Sequence, residues 1–422
     1  MAVFNDNDRL LKYRYKVSAL QIIFPNEEPK TLLNERLKNI DLSYDYENNA
    51  YPIFKINILL ESSLYYKIHK YKDKVKFRLR VQKYYNTVDG ASRSLNRDFI
   101  NDTFNLILDD EQSDLTISTK KSQNKMDYTK IVADDDGDLR DSDNMAEFFL
   151  FNTNIIKGLN NTNVNAILTD CNVVDAVAYI LNKAKIRNVL MTPPENLKKK
   201  DTILIPPGNC LNALKFIDTY YGIYRKGSMI FFGLNNSYIL SYDGECTAYT
   251  DNEKRITNII IPSTNSTHDT PGVISKSDDD KSNYIIADYR TVNIYNDAIT
   301  NDVVTSNNIQ FIDSLSGVVR KSKSKLALSE SYKIQENVTE NEWLGDTYIA
   351  QVDAIGNIVN VLLQDYDENM LSPNKKFNLI FEDSNMTKTY NGTYMLCSVN
   401  HKLIKDGDDF TINTSITLKR SK

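Results

Sequence analysis

The chain has 422 residues, with 51 Lys plus Arg against 56 Asp plus Glu and a formal net charge of −5. That balance argues against a protein whose main task is to grip phosphate backbones, and it does not exclude a conduit along which nucleic acid slides, where weak repulsion is useful. The length predicts about two to four domains, no run approaches the ~20 apolar residues of a membrane span, and the N-terminal segment lacks the apolar core of a signal peptide.

In chain order, residues 13–24 (YRYKVSALQIIF) are rich in β-branched and aromatic residues and predict a strand. Asp41, Tyr44, Asp45 and Tyr46 form an acidic, tyrosine-rich turn before Tyr51-Pro52 and a strand at 54–60. Glu61 to Lys70 reads as a short helix with Leu64, Tyr65 and Ile68 inward. Lys74 to Tyr85 alternates, with Val75, Phe77, Leu79 and Val81 on one face and mostly basic residues on the other, which is a half-buried strand. Asn101 to Leu108 is a further strand. The run Asp134-Asp135-Asp136-Gly137-Asp138-Leu139-Arg140-Asp141-Ser142-Asp143 is dense in oxygen ligands, but its glycine falls too early for a calcium loop and no Glu closes it, so it reads as a solvated loop. Met145 to Phe151 is expected to begin a short helix.

Residues 163–243 carry the clearest local signals. Val173, Val174, Val177, Ala178, Ile180 and Leu181 recur at helical spacing, with Thr169 and Asp170 as expected N-caps of a helix over about 171–184. Ile203 to Ile205 is a short strand stopped by Pro206-Pro207-Gly208. Asn209 then caps a second helix, with Leu211, Leu214 and Ile217 on one face and Gly222 as its stop. Ile223-Tyr224, a turn at Arg225-Lys226-Gly227, Met229 to Phe232 and Tyr238 to Tyr242 read as a β-meander.

Residues 246–335 are irregular, with strand candidates at 256–261, 284–295 and 309–312 between polar turns. Lys321, Lys323 and Lys325 make a small basic patch that reads as an exposed strand face or linker. Five strands follow: Trp343 to Val352, Ile358 to Leu363, Lys376 to Glu382, Thr393 to Leu403 and Phe410 to Lys419. Gly356-Asn357, Asn391-Gly392 and Asp406-Gly407-Asp408 supply turn chemistry. Closely spaced strands of this kind predict an antiparallel sheet or small barrel.

Three blocks resemble phage tail and baseplate hub proteins of contractile tails. The first is Ile203-Leu204-Ile205-Pro206-Pro207, Asn209 to Tyr221-Gly222-Ile223-Tyr224 and the aromatic hairpin, which is similar to the small α/β domain of that family. The second is the opening from the first strand through Lys83-Tyr84-Tyr85. The third is Gly392-Thr393-Tyr394 through Val399-Asn400-His401 to Leu418. The resemblance implies an α+β, mainly antiparallel fold of two tube-like β-barrels and a small helix-containing domain. It divides the chain into a first barrel with the acidic loop (1–165), the small α/β domain (166–245), a loop-rich connection of which part completes the first barrel (246–335) and a second barrel (336–422). It further implies a homotrimeric virion protein, folded in the host cytoplasm, that adapts a six-fold tail tube to a three-fold spike. Its expected partners are the tail tube protein, the central spike or needle, other baseplate and tape-measure proteins, and genomic DNA in transit, without membrane insertion.

The sequence carries few groups suited to catalysis. Cys171, Cys210, Cys246 and Cys397 are scattered with no CxxC pair, against a disulfide framework or a structural zinc and for a reduced site of folding. Of the three histidines His69, His268 and His401, only His401 lies near a cysteine, Cys397, on one strand. Four residues of strand span about 13 Å, too far for a hydrogen bond. No hydrolase, nucleotide or zinc motif occurs. No catalytic, cofactor-binding or metal-binding residue, and no cofactor, is therefore assigned, and the chain is expected not to be an enzyme. Two other readings stay open: a carbohydrate- or cell-surface-binding baseplate protein, although the 26 tyrosines are spread rather than clustered, and a cell-wall hydrolase with an unrecognised carboxylate pair.

Overall fold

Alternation of apolar and polar side chains sets the first strand. β1 (Arg9–Ile23) turns Tyr13, Tyr15 and Val17 inward, and a bulge between Val17 and Ala19 shifts the phase so that Leu20 and Ile22 are the next to be buried. In the computed structural model the described residues are 9–86, 92–108, 143–234, 236–242, 256–263, 271–275, 282–288, 293–295, 308–313, 319–321, 332–337, 339–347, 358–373, 377–383, 386–387 and 390–420.

After the short edge strand β2 (Lys30–Thr31) come β3 (Leu37–Asp45) and β4 (Ile53–Glu61). The expected acidic turn at 41–45 is thus strand. Ile40 and Leu42 are buried on one face and Asp41 lies on the other, a period-two pattern that outweighs the turn preference of Asp. Helix α1 (Ser62–Tyr71) buries Leu64, Tyr65 and Ile68 as its spacing predicts. β5 (Lys76–Asn86), β6 (Ser92–Leu108) and β7 (Asp143–Phe151) follow. The helix expected at 145–151 is instead this strand: Ala146, Phe148 and Leu150 are buried and alternate with Met145, Glu147 and Phe149. Two periods of a strand and two turns of an amphipathic helix are hard to tell apart in seven residues.

A short turn α2 (Thr153–Ile156) leads to a small unit built of β8 (Asn163–Cys171), α3 (Val173–Ala184), β9 (Val189–Met191), β10 (Lys200–Asn209), α4 (Cys210–Tyr221), β11 (Ser228–Phe232) and β12 (Ser237–Ser241). Thr169 and Asp170 belong to β8, so they do not cap α3. Asn172 does, through a reciprocal capping box in which its side chain accepts from the Asp175 N–H at 3.0 Å and the Asp175 carboxylate accepts from the Asn172 N–H at 2.9 Å. Asn172→Ala is expected to lower unfolding stability by about 1 kcal/mol, read from urea midpoints. Pro206 and Pro207 do not end the strand. β10 continues beyond them with a register shift against β8 between Ile205 and Gly208, which absorbs two residues that have no N–H to donate. Asn209 caps α4, and Gly222, at φ 75°, ends it. Ile223 and Tyr224 are not strand but a buried turn, in which the Tyr224 hydroxyl donates to the carbonyls of Thr192 (2.7 Å) and Ile239 (3.0 Å).

The sheet β9–β12–β11 has two buried faces. Phe232 and Ile239 pack on the helices, while Met229, Phe231 and Leu240 join the main core. The Phe231 ring meets Tyr46 edge-on at 4.9 Å and Tyr44 at 5.7 Å. The small unit is thereby fixed on the strands beside it.

The remaining strands are β13 (Thr257–Ile261), β14 (Gly272–Ser275), β15 (Asn283–Ile286), β16 (Asn293–Tyr295), β17 (Asn308–Asp313), β18 (Val319–Lys321), β19 (Tyr332–Asn337), β20 (Ile358–Gln364), β21 (Phe377–Phe381), β22 (Gly392–Asp406) and β23 (Asp409–Arg420). The strand expected at 343–352 is absent from its described part. Residues 344–347 are helical and strap the small unit: Arg225 pairs with Asp346 at 2.7 Å, and Asn341 donates to the carbonyls of Asp218 and Thr219 at the end of α4.

The fold is α+β and mainly antiparallel. One circuit of strands runs β1–β5–β6–β7–β4–β3–β22–β21–β13–β15–β14 and returns to β1. β23 crosses it, pairing along β22 and meeting β1 at Tyr15 and Phe410. The circuit is therefore two rings that share β1, β22 and β23. A different part of each long strand serves each ring: Ser398–Ile404 of β22 pairs β3 and Gly392–Tyr394 pairs β21, while Lys12–Ile23 of β1 pairs β5 and Arg9–Leu11 pairs β14.

Candidate functional site

A cluster of deeply buried polar groups lies where the rings meet. Along β5 the inward series Phe77, Leu79, Val81 continues in phase to Lys83, whose side chain is 0% exposed. Facing it is the segment after β20. Asp367 caps a short 3-10 turn over Glu368–Met370, its carboxylate accepting from the Asn369 N–H at 3.0 Å. The Lys83 Nζ donates to Oδ1 of Asp367 at 2.5 Å and to Oε1 of Glu368 at 2.9 Å. The Tyr15 hydroxyl donates to Oε2 of Glu368 at 2.8 Å and lies 3.1 Å from the Tyr366 carbonyl. Beneath this, Tyr366 Oη lies 2.9 Å from both His401 Nδ1 and Thr414 Oγ1, and His401 Nδ1 lies 3.1 Å from Thr414 Oγ1.

The electrostatics follow from burial. Loss of water, reinforced by the negative charge of Asp367, pushes the Glu368 carboxyl up to about 7, against the opposing pull of Lys83. Burial alone would lower the Lys83 ammonium, but Glu368 and Asp367 together hold it above its ordinary value. Burial pulls the His401 imidazole down to about 3, so it is neutral at physiological pH. The arrangement holds an amine, two carboxyls and a phenol in contact, away from solvent.

The residues weighed in the sequence fall elsewhere or apart. Cys397 and His401 do not form a pair: the His401 ring is engaged by Tyr366 and Thr414, and burial near Glu47 pushes the Cys397 thiol up. His69 lies 3.3 Å from the Tyr65 hydroxyl on α1. His268, Cys246, Lys323, Lys325 and residues 134–142 of the acidic run lie outside the described residues; Asp143 opens β7 and Lys321 closes β18. Among the described residues, no three His, Cys, Asp or Glu groups cluster as a metal site. The sequence reading missed Lys83, Tyr366, Asp367 and Glu368. The available signal was the period-two series that runs through Phe77 into Lys83.

The profile of the family described as "Bacteriophage PBS1 gene 109 protein" matches residues 6–421. Among solved structures, the fold is similar to that of a tail protein from Neisseria meningitidis MC58, at 11% identity and a TM-score of 0.53 over 97% of each chain. It is also similar to the 43 kDa tail protein of prophage MuSo2 from Shewanella oneidensis, at 7% identity and a TM-score of 0.50, over 94% of this chain and 97% of that one. No curated protein matches the chain in sequence. The tail-protein architecture expected from three short blocks thus extends over almost all of the chain, and with a family match of the same extent the chain belongs to the bacteriophage PBS1 gene 109 protein family.

Proposed function

We propose that this chain is a structural protein of a phage tail: a baseplate hub that assembles as a homotrimer, joins a six-fold tail tube to a three-fold spike and forms part of the DNA conduit. The observation that carries the reading is the pair of rings sharing β1, β22 and β23. Two rings in each of three subunits would present six similar elements to the tube and three-fold symmetry to the spike. Under this reading the first barrel is the ring of β3 to β7 and the second is the ring of β13 to β15 and β21, so the strands within 246–335 that were expected to complete the first barrel would belong to the second, and the small unit stands beside them. Its partners would be further copies of itself, the tube protein, the spike and neighbouring baseplate and tape-measure proteins. The role is one of assembly rather than catalysis. Many tyrosines, among them Tyr15, Tyr46, Tyr65, Tyr224, Tyr366 and Tyr394, are spent on the core rather than on a stacking platform for sugars.

Light scattering across a concentration series tests the reading. The chain is 48.4 kDa, and the expected particle has three times that mass, alone or once tube or spike protein is added. A monomer that ignores both proteins would overturn it.

A further inference from the structure

The meeting of Lys83, Asp367 and Glu368 permits covalent chemistry. We propose that Lys83 and Asp367 condense into an intramolecular isopeptide bond, with Glu368 as the proton carrier.

Four observations support it. An amine and a carboxyl are held in contact, with Nζ 2.5 Å from Oδ1, although the residues lie 284 positions apart. Such fixed contact turns an otherwise bimolecular condensation into a unimolecular one, an advantage that reaches effective molarities of about 10⁵ M or more. Solvent is largely kept out: the side chains of Lys83, Asp367 and Glu368 are 0%, 14% and 9% exposed. In the other ion pairs among the described residues, the Lys or Arg side chain keeps 18% or more of its surface. The two carboxyls hold Lys83 as an ammonium, so the reaction starts from a proton transfer along the Lys83–Asp367 hydrogen bond, and the scarcity of water keeps that proton between the two groups. A second carboxyl is in place, because Glu368 Oε1 is 2.9 Å from the same Nζ and its other oxygen is held by the Tyr15 hydroxyl. Finally, the groups are presented by β5 and by the segment after β20, so they meet only when the strands are assembled.

The balance is simple. The Lys83 ammonium gives one proton to the Asp367 carboxylate, leaving a neutral amine and a carboxylic acid. The nitrogen lone pair forms a bond to Cγ of Asp367 while the carbonyl π pair moves onto oxygen. Glu368 takes a second proton from the nitrogen and passes it to the Asp367 hydroxyl, the C–O bond breaks, and water departs. Of the three ammonium protons, one stays on the amide nitrogen and two leave with the oxygen. Glu368 ends as it began and remains within hydrogen-bonding reach of the new amide, and no oxidant or co-reactant is consumed.

Intact-mass measurement of the full chain under denaturing conditions, followed by peptide mapping, tests this. The expected result is a mass lower than the sequence requires by one water, and a branched peptide joining the segment around Lys83 to that around Asp367. Glu368→Gln is expected to leave most of the chain at its full mass, as is Asp367→Ala. Full mass for the unsubstituted protein, or a lost water that maps to a linear peptide such as one containing an Asp-Gly pair, would overturn the proposal. Because the decisive measurement is made on the unsubstituted chain, a variant that fails to fold does not blunt it.

Discussion

Lys83→Ala is expected to lower the free energy of unfolding at pH 7 by about 3–5 kcal/mol, the range for removing one partner of a buried charge pair. The loss does not come from the attraction itself, since a buried pair loses much of its Coulomb energy to desolvation. It comes from what is left behind: Glu368 and Asp367 would remain almost out of solvent with no cation between them. A carboxyl in that position is favoured in its protonated form. In the variant, the folded-state affinity of Glu368 for its proton therefore rises further above the unfolded value. Its contribution is fully present below about pH 4.5, the ordinary glutamate value, and is lost as pH rises through the higher folded value. The deficit relative to the unsubstituted chain is thus largest at neutral pH and shrinks on acidification. Urea titrations of both proteins at pH 7 and pH 5 measure it, and a deficit of equal size at both would sink the account. An amide through Lys83 would add to the loss, which makes 3 kcal/mol the lower bound.

The second large effect concerns His401. Its imidazole is neutral in the fold because burial pulls its pKa down to about 3, whereas the unfolded chain takes up a proton near pH 6.5. A lowered folded-state value contributes stability above pH 6.5 that is lost progressively as pH falls towards 3, at about 1.4 kcal/mol per unit for one proton. Glu368 pulls the other way between about pH 4.5 and 7, so the raw profile of the protein mixes the two. The difference between the unsubstituted chain and His401→Gln isolates the histidine. Gln offers a polar group to Tyr366 and Thr414 and does not titrate. That difference is expected to decline steadily in favour of the variant from pH 6.5 to 3. Parallel profiles would show that His401 titrates equally in both states.

These groups also mark what the sequence did and did not disclose. Period-two alternation located β5, β-branched and aromatic residues located β1, and turn residues between apolar runs located the strands after residue 357, because a half-buried strand carries these marks whatever its partner is. Helices α3 and α4 were visible through their apolar spacing, and Asn209 and Gly222 through the chemistry of helix ends. Failures came where two local preferences competed. Met145 to Phe151 is short enough to suit either period, and Asp41 and Asp45 favoured a turn until buried Ile40 and Leu42 imposed a strand. Lys83 was passed over because a lysine on a strand is usually solvated, although its register with Phe77 placed it inside. Nothing local identifies Asp367 and Glu368 as its partners. A contact across 284 residues is a property of the closed rings, not of either segment.

The sharing of strands governs the order in which this molecule can be made. β1 is made long before β22 and β23, yet each ring needs all three. The strands β3 to β7 can pair with one another during synthesis, but β3 finds its second neighbour only when Ser398–Ile404 arrives. Until then both its edge and that of β1 are open to other chains. Folding of the rings is therefore dominated by pairings between distant segments, which makes it slow and exposes the growing chain to aggregation. The C-terminal hairpin acts as a single clasp: its arrival closes both rings at once, and a polypeptide lacking it would hold neither.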